Sequence, residues 1–260
     1  MNQFKSGWDF VRYSEIVRTQ YRFAYPSEVT AFLQALVATS GFRAKEVPAS
    51  FSLWRAQRGC NVQERQIEES DLTILMEDMV PFPSGRMKPR KSSAHEGRAN
   101  PKGIPCLYMA TDKETAMAEV RPWIGAQISV GHFQTTRSLK VVDFSLSHDG
   151  ALSSSLFLGR PSAEEVLNGV WAQVDRAFSE PIADDPDTAE YVPTQVIAET
   201  FRREGFDGVV YKSRLGDGFN IALFDLDCAE LVACSLFKAE KIAFSFRDES
   251  RTYYARSCPS

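Results

Sequence analysis

Gly97-Arg98-Ala99-Asn100-Pro101-Lys102-Gly103-Ile104-Pro105-Cys106-Leu107-Tyr108-Met109-Ala110 is followed, four residues on, by Thr115-Ala116-Met117-Ala118-Glu119-Val120-Arg121-Pro122. The first part is a loop punctuated by glycine and proline that runs into a short apolar strand over 104–110. Between the two parts, Thr111-Asp112-Lys113-Glu114 reads as a capping box, with Thr111 accepting from the backbone and Glu114 reaching back. The helix it opens is predicted to run to about Arg121, where Pro122 discourages continuation. Loop, strand and helix thus bring a guanidinium (Arg98), a phenol (Tyr108) and a carboxylate (Glu119) within 22 residues. Such groups can hold a phosphate, stack on a flat ring and stabilise a cationic sugar. The combination suits a nucleotide better than a core.

Upstream, Val29, Phe32, Leu33, Leu36 and Val37 share one helical face, with Pro26-Ser27 as a start and Gly41 as a stop. That face must pack on the main body, as a cap, or on a second copy of the chain. Phe51 to Ala56 alternates like a half-buried strand. The 81–105 stretch holds five prolines and the basic residues Arg86, Lys88, Arg90, Lys91, Arg98 and Lys102, and is predicted to lack regular structure. Downstream, 127–133 and 139–144 read as strands. Residues 145–161 read as irregular, and Ser162-Ala163-Glu164-Glu165 as a capping box opening a helix to about Phe178. An acidic loop over 179–189 and a helix opened by Pro193-Thr194 and ended by Gly205 come next. Strands over 209–211 and 221–224 flank the turn Leu215-Gly216-Asp217-Gly218, and the tail after about Thr252 reads as loose. The class is mixed α+β.

The 260 residues, 43% of them hydrophobic, are enough for one large domain burying roughly 70–75% of its unfolded surface. A net charge of −4 provides no general attraction for nucleic acid or anionic membrane, so an anion site must be a local concentration of positive charge. Five scattered cysteines without C-x-x-C spacing favour free thiols, and with no signal-peptide pattern or long apolar run the expected location is cytoplasmic. His95, His132 and His148 have no ligand spacing, so no metal site is expected. No histidine stands with a serine or cysteine in a triad-like arrangement. Gly216-Asp217-Gly218 is too short for a phosphate fingerprint.

What remains is Arg55, Arg98, Tyr108, Glu119 and the step Tyr211-Lys212-Ser213. From spacing alone Glu119 reads also as a surface glutamate and Tyr108 as core filling. A carboxylate at a helix C-terminus faces the negative end of the dipole and calls for a nearby cation.

Trp54-Arg55-Ala56, the 97–103 segment, Leu107-Tyr108-Met109-Ala110, Thr115 to Pro122 and Pro193-Thr194-Gln195-Val196-Ile197-Ala198-Glu199 together resemble the RES-domain family. Gly205-Phe206-Asp207-Gly208-Val209-Val210-Tyr211-Lys212-Ser213 and Asn220-Ile221-Ala222-Leu223-Phe224 extend the resemblance over about residues 50–232. It implies a mixed-sheet α+β fold similar to ADP-ribosyltransferases, with a helical N-terminal extension over 1–48. The RES domain then covers 49–260, with a loop insertion at about 145–190. It implies an NAD-depleting toxin of a bacterial toxin–antitoxin pair, with NAD as substrate, no cofactor, and a helix-turn-helix antitoxin as partner.

The resemblance matches the family's arginine to Arg55, with Arg98 as a second, its glutamate to Glu119, its tyrosine to Tyr108 and its serine to Ser213. It implies that Glu119 stabilises the ribose cation formed as nicotinamide leaves, and that Tyr108 stacks on the nicotinamide. Arg55 and Arg98 then hold the pyrophosphate, Asn100 of the same Gly-Arg-x-Asn element contacts the dinucleotide, and Ser213 positions a hydroxyl or the nicotinamide amide. The basic 86–102 loop closes over the ligand. Cleavage by water or phosphate, transfer of ADP-ribose to a protein, and a non-catalytic interaction module that has kept the fold are the readings this leaves open.

Overall fold

The structure, a computed structural model, describes residues 3–69, 72–90, 94–147, 155–180, 188–243 and 245–246. In chain order the elements are α1 (Asp9–Thr19), α2 (Ser27–Ala38), β1 (Ala44–Val47), β2 (Ser52–Arg58), β3 (Asn61–Glu69), β4 (Leu72–Val80) and α3 (Ser84–Met87). Then come β5 (Leu107–Ala110), α4 (Lys113–Glu119), β6 (Gln127–Thr135), β7 (Leu139–Asp143), α5 (Ser155–Leu158) and α6 (Ala163–Ser179). The chain ends with α7 (Val192–Arg203), β8 (Gly208–Lys212), β9 (Phe219–Leu223) and β10 (Ala229–Lys238). Eight strands form one mixed sheet in the order β1-β7-β8-β9-β5-β2-β6-β10, and β3 and β4 form a separate antiparallel hairpin. Only β7 and β8 run parallel within the large sheet. The α+β class is therefore as expected.

The sheet nearly divides in its middle. β2 lies alongside β6 from Ser52↔Gln134 to Arg58↔Ile128, and β5 alongside β9 from Leu107↔Leu223 to Ala110↔Asn220. Between β2 and β5 the only register pair is Trp54↔Ala110. Beyond it the strands part, and side chains rather than ladder hydrogen bonds must fill the gap. One face of the sheet packs under α6 and α7 through Phe144, Trp171, Phe178 and Phe201, and the other buries Leu53, Met87, Leu107, Phe133 and Leu223. A third, smaller cluster, including Ala56, Ala110, Ala116 and Ile128, seats α4 against β2, β5 and β6.

The N-terminal region is not a helical extension alone. Its last four residues in regular structure, β1, pair antiparallel with β7 and form one edge of the main sheet. The apolar face of α2 packs on the body as a cap: Val29, Phe32, Leu33 and Leu36 share a core with Trp171 and Phe201, so that face is covered within the chain. Tyr13 of α1 stacks on Phe32 at 4.4 Å and donates its buried hydroxyl to the Pro193 carbonyl at 2.7 Å. Tyr13→Phe leaves that carbonyl without its partner, which costs about 1–3 kcal/mol. Calorimetry should show a Tm roughly 5 °C lower, and an unmoved Tm would mean that this hydrogen bond contributes nothing to stability.

Three local expectations change. Asp112, not Thr111, caps α4, its carboxylate accepting from Thr115 N at 2.7 Å, because Thr111 is tied to β9, its N donating to Phe219 O and its Oγ1 accepting from Phe219 N. The helix stops at Glu119 instead of Arg121, which is displaced to φ 44° in front of Pro122. The proline-rich stretch, expected to be irregular, holds the single turn α3, which sends Met87 fully into the core. The capping box of α6 forms as expected, Ser162 accepting from Glu165 N and Glu165 reaching back to Ser162 N. Residues 145–190 are accordingly more than a loop, since α6 supplies Trp171 and Phe178 to the core. Parts of the 145–161 and acidic 179–189 segments, and the tail after Thr252, lie outside the described residues. Among the described residues no helix is long and apolar enough to cross a membrane.

Candidate active site

A cleft of about 290 Å³ opens where β2 and β5 part, closed on one side by α4 and on the other by β8 and β9. Arg55, Tyr108, Glu119, Tyr211 and Asn220 bring polar groups to it, and Trp54 forms a wall. That indole is braced from behind by His132, whose ring stacks on it at 5.1 Å and whose Nε2 lies 2.9 Å from Ser52 Oγ. His132 therefore belongs to the scaffold. Among the described residues no cluster of three or more His, Cys, Asp or Glu side chains could hold a metal ion. The Cys106 thiol points to the Leu223 carbonyl, and burial pushes it up to about 12, which leaves it a packing residue.

Glu119, the last residue of α4, is exposed at the cleft mouth, yet one of its oxygens is held from two sides. Oε1 accepts from Ser213 Oγ at 2.6 Å and from Asn220 Nδ2 at 2.7 Å. Ser213 Oγ also accepts from Leu215 N and Gly216 N, each at 3.1 Å. A hydroxyl has one proton to donate and two lone pairs to offer, so Ser213 has all three places filled inside the protein.

The turn after Ser213 is anchored on the start of α4. Thr115 Oγ1 accepts from Gly218 N at 3.0 Å and donates to Asp112 Oδ2 at 2.9 Å. This approach needs glycine: a Cβ at Gly218 would lie 1.8 Å from Asp112 Oδ2 and 2.8 Å from Thr111 Oγ1. Gly218→Ala must displace the carboxylate that caps α4, a loss of about 1–2 kcal/mol. It should lower Tm by roughly 5 °C and loosen the turn carrying Ser213. Thermal denaturation showing no change would mean that the turn can back away freely.

Arg55 enters the gap from β2 and donates Nη1 to the Tyr108 carbonyl at 2.9 Å. Its Nε is closed off from solvent without a hydrogen-bond partner, and among the described residues no carboxylate pairs with it. Burial pulls its pKa below the usual arginine value. An unpaired guanidinium there is costly unless an anion completes it.

Tyr108 is held by its hydroxyl, which accepts from Ala99 N at 2.8 Å and donates to Asn100 Oδ1 at 2.7 Å. Burial raises its pKa far above the ordinary phenol value. With its oxygen engaged, the tyrosine offers the cleft its ring. The loop that grips it is made for this purpose, because a Cβ on Gly97 would stand 2.6 Å from the Tyr108 hydroxyl. Asn100 is buried, with Nδ2 donating to the carbonyls of His95, Pro101 and Ile104. Arg98 donates to the carbonyls of Phe178 and Glu180 at the end of α6, at 2.8 and 2.6 Å.

Of the residues singled out in the sequence, Arg55, Tyr108 and Glu119 line the cleft and Ser213 holds Glu119 from behind. Arg98 and Asn100 do not line it. They fasten the loop behind Tyr108, away from the cleft lining where contact with a dinucleotide is expected of them. The loop they belong to is tied to α6 and α7, where Gln195 Nε2 donates to the carbonyls of Gly97 and Asn100. Tyr211, of the step that leads to Ser213, also lines the cleft, and Asn220, which the sequence places only in the apolar run Asn220-Ile221-Ala222-Leu223-Phe224, reaches it from β9.

The RES domain family model matches residues 78–246. Tyr108, Glu119, Ser213 and Asn220 fall within the match and Arg55 precedes it. No curated protein sequence matches the chain. Among solved structures, the crystal structure of the M. tuberculosis MbcT–MbcA toxin–antitoxin complex is similar, with a TM-score of 0.41 and 16% identity, over 78% of this chain and 92% of that chain.

Proposed function

The chain belongs to the RES domain family, and from that premise we propose that it cleaves the nicotinamide–ribose bond of NAD, with water or phosphate as acceptor, as the toxin of a toxin–antitoxin pair. The reading is carried by one arrangement: a carboxylate with one oxygen fixed by Ser213 and Asn220, in the same cleft as an uncompensated guanidinium and a tyrosine ring. In the reaction the C–N electron pair leaves with nicotinamide, which departs neutral, and positive charge develops on the ribose. Glu119 faces that charge, in the way a glycosidase carboxylate does. Water then adds at the anomeric carbon and loses its proton, or phosphate adds as the anion. Tyr108 presents its ring to the nicotinamide, and Arg55 meets the pyrophosphate through its planar fork. The cleft, at the lower end of ligand-pocket volumes, suits the nicotinamide riboside end of the dinucleotide.

The test is nicotinamide release from NAD by the purified chain, with and without phosphate. Release in buffer alone supports hydrolysis, and release that rises with phosphate supports phosphorolysis. No release in either condition overturns the proposal, and label passing from NAD to protein redirects it to ADP-ribosyl transfer. The expected antitoxin, a helix-turn-helix protein, should suppress the activity by covering the cleft.

A further inference from the structure

Glu119 is poorly restrained by its own element. It is the last residue of α4, is exposed, and stands where the chain turns away through Arg121 at φ 44° and Pro122. Left to itself, such a side chain samples several rotamers in water. What restrains it comes from the far side of the cleft. Asn220 opens the buried part of β9, paired with Tyr211 of β8 on one side and Ala110 of β5 on the other. Both strands hold the Asn220 backbone, and only 7% of the residue is exposed. Its Nδ2 lies 2.7 Å from Glu119 Oε1, the oxygen that Ser213 also engages. The two donors thus select one oxygen and leave Oε2 to the ligand.

We propose that Asn220 is a positioning residue, acting on the reaction through Glu119: with Ser213 it fixes Oε1 so that Oε2 alone faces the ribose. This rests on the NAD-cleaving reading. The division of labour follows from how each donor is held. Ser213 reaches Oε1 from the turn after β8 and Asn220 from within the sheet, so the two donors restrain the carboxylate from separate elements. A carboxylate misplaced by about an ångström loses on the order of 10²-fold in rate without losing ligand affinity.

Two variants test it in the full chain. Asn220→Ala should lower kcat on NAD by about 10–100-fold and leave KM within about twofold. Asn220→Asp keeps the shape but replaces the donor with a second carboxylate. The titratable groups around the position are Glu119 from α4, Tyr108 from β5, Tyr211 from β8 and Arg55 from β2. Burial pushes both tyrosines upward, and arginine stays charged, so the pair formed with Glu119 governs the response near neutrality. Two carboxylates at hydrogen-bond distance share a proton at low pH and repel at high pH. The protonated pair has the donor, and the single negative charge, of the native one. Asn220→Asp should therefore be about 100-fold impaired at pH 8 and recover at least tenfold at pH 5.5, relative to the native chain at each pH.

A native kcat in Asn220→Ala, a raised KM with unchanged kcat, or an equal loss for Asn220→Asp at both pH values would each overturn the positioning role. A crystal structure of Asn220→Ala separates this from failure of the activity itself. Even if the native chain leaves NAD intact, Glu119 should be found swung away from Ser213 or in several rotamers. A carboxylate still seated on Ser213 would refute the inference independently of turnover.

Discussion

Glu119→Gln should leave the fold intact and reduce NAD cleavage by about 10²–10³-fold, an effect of about 3–4 kcal/mol on the barrier. The reason lies in which oxygen the protein holds. Ser213 and Asn220 both donate to Oε1, so in the variant the amide oxygen takes that place and the amide nitrogen falls where Oε2 was. The hydrogen bonds survive while the charge disappears, and an N–H dipole points its positive end at a sugar becoming positive. KM should change little, because the substrate carries less of that ribose charge than the transition state. The group is exposed at the end of a helix, so the expected change in stability is within about 0.5 kcal/mol. Kinetics and thermal denaturation on the same preparation decide the matter. Turnover within a few-fold of native, with an unchanged Tm, would remove Glu119 from the chemistry.

How far such a site can be read in a sequence depends on the range over which it is built. Glu119 and Tyr108 are visible because loop, strand and helix follow one another directly, and local rules of capping and periodicity mark each. The helix of Val29, Phe32, Leu33 and Leu36 is visible for the same reason. Asn220 is not, because its role comes from β9 lying between β8 and β5, and no local pattern encodes the pairs Tyr211↔Asn220 and Ala110↔Asn220. Arg98 and Asn100 show the opposite ambiguity. A guanidinium and an amide in a glycine-rich loop look alike whether they face a phosphate or the loop's own carbonyls, and here they face carbonyls. The β3–β4 hairpin is equally hard to see in the sequence. Glu64 stands opposite Glu77 and Gln63 opposite Asp78, so polar residues occupy both faces and no alternation declares a buried side. β1 was hidden inside a segment read as helical because Ala44-Lys45-Glu46-Val47 carries almost no strand propensity. It becomes a strand by pairing with β7.

The second large effect is expected at Arg55, where binding and stability should move apart. Arg55→Met keeps the length and apolar stem and removes the guanidinium. Among the described residues that group makes one hydrogen bond, to the Tyr108 carbonyl, and carries a buried Nε with no partner. Losing the bond costs about 1–2 kcal/mol, and removing an unpaired charge from a half-buried gap returns a similar amount. Tm should thus stay the same or rise slightly. Affinity for NAD should fall by about 10–100-fold, the worth of one or two charge-assisted hydrogen bonds to phosphate oxygens. Arg55→Lys should recover only part of it, because an ammonium cannot reproduce the planar fork. Isothermal titration with NAD, alongside thermal denaturation, reads both quantities. A fall in Tm of several degrees with unchanged affinity would mean that Arg55 is there to hold β2 and β5 together. A maintained Tm with lost binding is what a cation kept uncompensated for an anionic ligand requires.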